Sequence, residues 1–401
     1  MSTGRLCDKS MENKIALLFN VNVEQIFCFS KGRVAFYALL KAMGIGPGDE
    51  VLMSGYTCVM VPSAPMFLGA TCRYLDIEPH TYNLNPRLLD SHYSNKTKAL
   101  IIQHTYGIAQ DMAPILQWAK EKNIPIIEDC CHVFGSTYKN QLCGTFGVGA
   151  FFSGQWNKPF STGLGGILLV NEASLLPKVQ AIYESAVLPT LVEELRLKIQ
   201  ILSYKGLVNP KTVGAVMMAY RILSRLGIAA GSSSNEEFSG AMPKGYLKRM
   251  ASVQKQEGER TLVSISALLA HRKQLGEYYA EKLPKIGFMS HMPMSESENI
   301  ILRYPVRVAN KEAIVSKALR NGVEIGSWFE IPLHPKGIDM ACFGYQPGMC
   351  PESEKACCEV INLPTHQKIS LKEADRILAF LQKYGKAVSP GTSIGSVPEE
   401  S

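Results

Sequence analysis

The sequence predicts an α/β fold, with a large, mostly parallel sheet domain and a smaller α/β unit at the C-terminal end. Three observations predict it. From about residue 27 to 172, short apolar runs alternate with amphipathic stretches, the pattern of strands covered by helices on both faces. Two of those runs end in polar residues able to do chemistry, at the edge where open α/β sheets hold ligands. After a long helical, strand-poor stretch, a shorter strand-and-helix pattern returns near residue 300.

Taken in order, residues 1–26 form an N-terminal extension without the apolar run of a signal peptide. The large domain spans 27–184. It opens with a helix over Arg33–Met43, stopped by the turn Gly44-Ile-Gly-Pro-Gly-Asp49. Strands follow at Val51–Met53, Cys72–Leu75, Ala99–Gln103, Pro125–Glu128, Ala150–Ser153 and Gly166–Val170, with helices after Thr57 and at Met112–Glu121. Residues 185–245 read as a helical insert and 246–386 as a linking helix plus the small domain. That last part has one helix over Gln254–Leu283, a strand at Ile300–Val308 and helices at Lys311–Asn321 and Leu371–Tyr384. The tail 387–401, rich in Ser, Pro, Gly and Glu, reads as disordered.

Composition excludes several classes. With 46% hydrophobic residues in 401, the chain is not disordered, collagen-like or a coiled coil. Its 42 Lys+Arg against 35 Asp+Glu are scattered, without the basic block of a nucleic-acid arm. Eleven cysteines, an odd count with pairs such as Cys130–Cys131, suit free thiols in a reducing cytoplasm better than disulfides or a metal site. Val51–Cys72 carries no charge, but Gly55, Pro62, Pro65 and Gly69 divide it into strand, loop and helix, not a membrane span. Thr212–Ala230 is also apolar, with Arg221 and Arg225 on one helical face. It fits ordinary packing at a domain or subunit contact, or weak contact with a membrane surface.

Three segments carry the chemistry. Ile126-Ile-Glu-Asp-Cys-Cys-His132 brings a carboxylate to the end of an apolar strand, although a lone Asp there also serves as a helix cap. Ala150–Gly166 runs from a second strand through Ser153 and Lys158 into a glycine cluster. A lysine between apolar strands loses basicity by burial, as a Schiff-base lysine requires, whereas most loop lysines are merely solvated. Phe29-Ser-Lys-Gly-Arg33 precedes a helix, and such a turn offers free N–H groups to a phosphate. Amine, carboxylate and phosphate cradle together fit pyridoxal 5′-phosphate. Neither Gly44–Gly48 nor Gly144–Gly149 has the strand and helix context of a dinucleotide site.

At this point the chain resembles the DegT/StrS sugar aminotransferases, of the aspartate-aminotransferase-like fold type I. The likeness runs in order through Gly44–Val51, Gly55-Tyr-Thr57, Leu75–Asn83, His104-Thr-Tyr-Gly107, Glu128–His132, Ser153–Lys158, Pro332-Leu-His334 and Ile361–His366. The resemblance implies that Lys158 forms the Schiff base and moves the proton, and that Asp129 pairs with the pyridinium nitrogen. His132 then lies against the cofactor, Ser153 binds its phosphate, and Gly32 and Arg33 occupy the phosphate turn. Cys58 stands where the family often stacks an aromatic ring, so Tyr56 is a candidate substitute. Leu247 replaces an Asn that reaches the partner subunit's phosphate. The implied reaction moves an amino group from glutamate or a similar donor to a keto-sugar, expected to be nucleotide-linked, in a homodimer. A lyase or dehydratase on a related substrate, and a catalytically altered relative, are the alternatives.

Overall fold

The computed structural model describes residues 9–207, 231, 233–290 and 296–388. The apolar segment 212–230 and the tail from 389 onward therefore lie outside the described residues.

The helices used below are α1 (Ser10–Phe19), α2 (Gly32–Ala42), α3 (Met60–Met66), α4 (Met112–Lys122), α5 (Leu176–Ser185), α6 (Leu191–Leu207), α7 (Ser252–Val263), α8 (Ile265–Lys282), α9 (Lys311–Arg320), α10 (Pro351–Glu359) and α11 (Leu371–Tyr384). The main strands are β1 (Ile26–Phe29), β2 (Glu50–Ser54), β3 (Thr71–Leu75), β4 (Thr97–Gln103), β5 (Ile126–Asp129), β6 (Gly149–Gln155) and β7 (Leu164–Val170). They form one seven-stranded sheet in the order β1-β7-β6-β5-β4-β2-β3. From β3 to β6 every pairing is parallel, and β7 runs antiparallel to both β6 and β1.

Side chains alternate across this sheet. Ile126, Leu100, Ile102, Phe152 and Ile167 enter one core with α1 and α4. Ile127, Ile101, Phe151, Leu168 and Val170 enter the other with α2, α3 and α5. Because successive strand residues face opposite ways, near-continuous apolar runs are what a sheet covered twice needs. α1 is part of this packing, with Met11, Ile15, Ala16 and Phe19 buried in the first core. A separate core joins α8, α9 and α11 to a strand pair, β8 (Arg303–Arg307) and β9 (Val360–Pro364), which run antiparallel.

Two of the expected elements take other bounds, for identifiable reasons. The helix expected over Gln254–Leu283 breaks at Ser264, giving α7 and α8. Ser264 bonds Thr261 O with both its amide and its hydroxyl, a local arrangement that competes with helix continuation. The strand expected from Ile300 starts only at Arg303. The Ile300 amide donates to Ser136 Oγ at 2.8 Å, and Leu302 to Tyr106 O at 2.8 Å, so neither is available to a ladder.

The contact that positions the site lies between α2 and the sheet. At Gly166 an added Cβ would sit 2.1 Å from Lys31 C and 2.2 Å from Gly32 N, both backbone atoms that cannot rotate aside. Gly166→Ala is therefore expected to destabilise the chain by about 2 kcal/mol or more in urea titration. Gly206, late in α6 with nothing within 4 Å of its Cβ position, is the contrast: Gly206→Ala should stabilise by about 0.5 kcal/mol.

Candidate active site

Parallel registry brings the chemical residues to one sheet edge. Gln103 at the end of β4 lies beside Asp129 at the end of β5, and Asp129 pairs with Phe151, two residues before Ser153. Glu128 anchors this edge from the opposite side. Its carboxylate accepts N–H bonds from Gly144, Phe146 and Gly147 at 2.6–2.9 Å and faces His104 Nε2 at 3.1 Å. His104 Nδ1 accepts the Gln110 amide, so Nε2 is the nitrogen that donates to Glu128. Glu128, His104 and Cys130 are close enough to share a metal ion, but those hydrogen bonds already occupy both carboxylate oxygens and the imidazole.

Asp129 is buried, and its Oδ1 accepts the Cys131 amide at 2.9 Å. Burial lifts its carboxyl above the usual range, against the opposing pull of Cys131 and the Lys158 charge. Lys158 follows β6 in a turn closed by its own amide on Gln155 O at 2.9 Å. Its side chain is 9% exposed, and its Nζ lies 4.9 Å from the Trp328 ring centre. Among the described residues no carboxylate comes within ion-pair distance of that amine. Burial lowers its basicity, which Cys131 and Asp129 only partly restore.

Beside these groups starts α2. Lys31, its N-cap, is extended and supplies no side-chain cap, as a helix start that receives an anion requires. A Cβ on Gly32 would meet Phe152 O at 3.0 Å and Ser153 Cβ at 3.3 Å, so only glycine lets the turn sit against Ser153. Arg33 stands in the turn expected to hold phosphate, but its guanidinium is engaged elsewhere. It pairs with Glu237 Oε1 at 2.7 Å, reaches Ser233 Oγ at 3.1 Å and touches the Met60 sulfur. Glu237 is buried, and its carboxyl is held below the usual range because Arg33 and Lys31 outweigh the cost of burial. Lys31 is lowered to about 8 by burial and then by Arg33.

The remaining wall is aromatic and comes from the C-terminal part. Leu333-His334 adds a short parallel bridge to Thr57-Cys58, which brings the preceding Trp328 and Phe329 to the site. His132 stacks on Trp328 at 5.3 Å, and its Nδ1 accepts the Tyr106 amide at 3.3 Å. Burial and the nearby Lys158 charge keep this imidazole neutral, well below its ordinary value. Tyr56 does not face the amine. It is fully buried among Tyr82, Tyr106 and Phe329, and its hydroxyl bonds Tyr106 Oη at 2.7 Å. Tyr106 in turn donates to Trp328 O at 2.6 Å, so the geometry makes Tyr56 a positioning residue for Trp328. Cys58 is only partly buried and feels the charges of Arg33, Lys158 and Asp129, though burial still raises its thiol.

Two participants carried little sequence signal. Trp328 stands in a C-terminal stretch whose role depends on the bridge to residues 57–58. Arg303 looks like an ordinary strand residue, yet its guanidinium lies 5.2 Å from the Trp328 ring centre and its charge acts on both Lys158 and His132.

An enclosed amine without an ion pair, a buried carboxylate at the sheet edge and an uncapped helix start on glycine fit pyridoxal phosphate. Holding these groups costs stability. For a carboxyl with a raised folded value, the native state holds more protons than the unfolded chain above the ordinary 3.8, so stability falls as pH rises through that window. The cofactor-free Asp129→Asn variant is thus expected to melt above the cofactor-free parent at neutral pH. Calorimetry should show the gap closing as pH falls toward 3.8.

The family model described as the DegT/DnrJ/EryC1/StrS aminotransferase family matches residues 8–382. The GDP-perosamine synthase of Caulobacter vibrioides is 26% identical over 370 residues, 90% of this chain and 86% of that protein. The UDP-2-acetamido-2-deoxy-3-oxo-D-glucuronate aminotransferase of Pseudomonas aeruginosa is 26% identical over 360 residues, 88% of this chain and 85% of its own. Among solved structures, a DegT/DnrJ/EryC1/StrS aminotransferase from Brucella abortus superposes with a TM-score of 0.72 at 20% identity, over 93% of this chain and 89% of that one. NtdA of Bacillus subtilis, solved with bound cofactor PMP, gives 0.69 at 22% identity, over 93% and 76%. The chain belongs to the DegT/DnrJ/EryC1/StrS aminotransferase family and is a pyridoxal-phosphate-dependent aminotransferase of the aspartate-aminotransferase-like fold.

Proposed function

We propose that this chain moves an amino group from glutamate or a similar donor to the carbonyl of a nucleotide-linked keto-sugar, for amino-sugar or polysaccharide synthesis. The Lys158 amine carries the reading: it is enclosed, has no ion pair among the described residues, and feels the charge of buried Asp129. The relatives named for GDP- and UDP-linked sugars support the substrate class.

Bound pyridoxal phosphate supplies an electron sink for negative charge on the carbon next to the transferred nitrogen. Lys158 Nζ would hold the cofactor and, in turnover, move the proton at that carbon. Its lowered basicity raises the fraction of neutral amine near neutral pH. The Asp129 carboxylate would keep the ring nitrogen protonated. Gly32 and Arg33, through the α2 start, and the Ser153 hydroxyl would bind the phosphate, with the Arg33 side chain tying that turn to Glu237 instead of reaching the anion. Cys58 would take the ring-facing position in place of an aromatic, with Tyr56 acting behind it through Tyr106. His132, with Nδ1 taken by the Tyr106 amide, presents Nε2–H as a donor to the cofactor or substrate. Trp328 and Phe329 exclude water. Arg303 is the cation placed to receive the donor's carboxylate.

A homodimer belongs to this reading, on the strength of the family resemblance. The Leu247 side chain packs against the chain's own core, so any cross-subunit contact to the phosphate needs another residue. A reducing, cytoplasmic setting also belongs to it: the described cysteines are all free thiols, and no described helix is long and apolar enough to cross a membrane.

Lys158→Ala is expected to abolish the near-visible absorbance of covalently held cofactor and to lower turnover by roughly a thousandfold or more. Failure of glutamate and every other amino donor to convert the purified protein to its amino-loaded spectrum would reject transamination. Arg303→Leu should raise the donor KM about tenfold or more, leaving the half-reaction run from the amino-sugar side nearly unchanged. Equal effects on the two half-reactions would remove Arg303 from donor binding.

A further inference from the structure

α6 is apolar on two opposite faces, and among the described residues only one of them packs against the chain. On the inner face Ile201 is buried and Tyr204 stacks on Trp156 with ring centres 4.3 Å apart, two residues from Lys158 in sequence. Glu193 pairs with Lys248, Glu194 accepts the Ser252 and Val253 amides, and Lys205 pairs with Glu257. The outer face carries Leu191, Val192, Leu195, Ile199 and Leu202, each more than half exposed. Their spacing puts all five on one stripe of the helix.

The charges beside that stripe have one sign. At 100° per residue, Arg196 and Lys198 fall on its two edges; both are exposed, and neither forms an ion pair among the described residues. The acidic residues of α6, Glu193 and Glu194, are turned inward and already bonded. Packing this face against the same face of a second copy would lay cationic edges along cationic edges, with no carboxylate on the stripe to neutralise them. A bilayer rich in anionic headgroups offers the complement: acyl chains for the leucines and phosphates for the two cations, which extend outward from the apolar stripe.

We propose that the outer face of α6 docks on an anionic membrane surface. The inner face of the same helix packs on Trp156, so docking would hold the loop that carries Lys158 close to the bilayer, where a lipid-linked or membrane-delivered sugar is found.

Flotation of the full-length, cofactor-loaded protein with phosphatidylcholine–phosphatidylglycerol vesicles, and with phosphatidylcholine alone, tests it. The parent is expected to float with the anionic vesicles and much less with the neutral ones, and to be released by high salt. Leu195→Glu/Ile199→Glu should remain in the bottom fraction while keeping the parent's melting temperature and cofactor absorbance, since both side chains are exposed. Arg196→Glu/Lys198→Glu should lose the preference for anionic lipid. A parent that does not float, or a Leu195→Glu/Ile199→Glu variant that floats equally well, overturns the proposal. So does a sedimentation-velocity mass that halves in that variant, which assigns the face to a second copy.

Discussion

The structure depends on enclosing one amine without giving it a counter-ion. Lys158 is nearly buried, faces the Trp328 ring at 4.9 Å, and has no carboxylate at ion-pair distance among the described residues. Pairing would make the charge cheaper to bury, but it would also keep the amine protonated and occupied. Burial without a pair keeps it available for chemistry, and the surrounding fold must supply the stability that this arrangement forgoes.

That dependence explains why the site is assembled from distant parts of the chain. Asp129 and Ser153 come from neighbouring parallel strands, whose registry is fixed by side chains buried on both faces of the sheet. The α2 start reaches Ser153 only because Gly32 and Gly166 lack a Cβ. Trp328 arrives through the two-residue bridge between Leu333-His334 and Thr57-Cys58, and Tyr56 and Tyr106 then hold its carbonyl. Glu237 and α6 join from the other side, where Glu237 neutralises Arg33 and α6 packs on Trp156. Each part carries a different task, and none forms the pocket alone.

The legible elements were those with strong local signals. Six of the seven strands of the large sheet were readable, each a short apolar run bounded by turn residues, whereas the edge strand β1 was not among those expected; α2, α4, α9 and α11 begin or end close to their expected limits. The helix break at Ser264 and the late start of β8 were not readable, because each turns on where a single amide finds its acceptor. In the site, Asp129, Ser153 and Lys158 stood out as polar residues at the ends of apolar strands. The side chains of Arg33 and Tyr56 could not be oriented in advance. Arg33 turns toward a carboxylate 204 positions away and Tyr56 toward a hydroxyl 50 positions away.

The fold class and the order of glycine turn, carboxylate and amine, a set that suits pyridoxal phosphate, were already written in the chain. These follow from local patterns: periodicity, strand-end residues and the glycines that permit close backbone approach. Folding settled which of two neighbours, Tyr56 or Cys58, is open to the amine, and it brought Arg303 and Trp328 to that amine. It also left one face of α6 without a partner among the described residues. Such outcomes rest on contacts between segments far apart in sequence, where burial and charge depend on what else arrives at the same place.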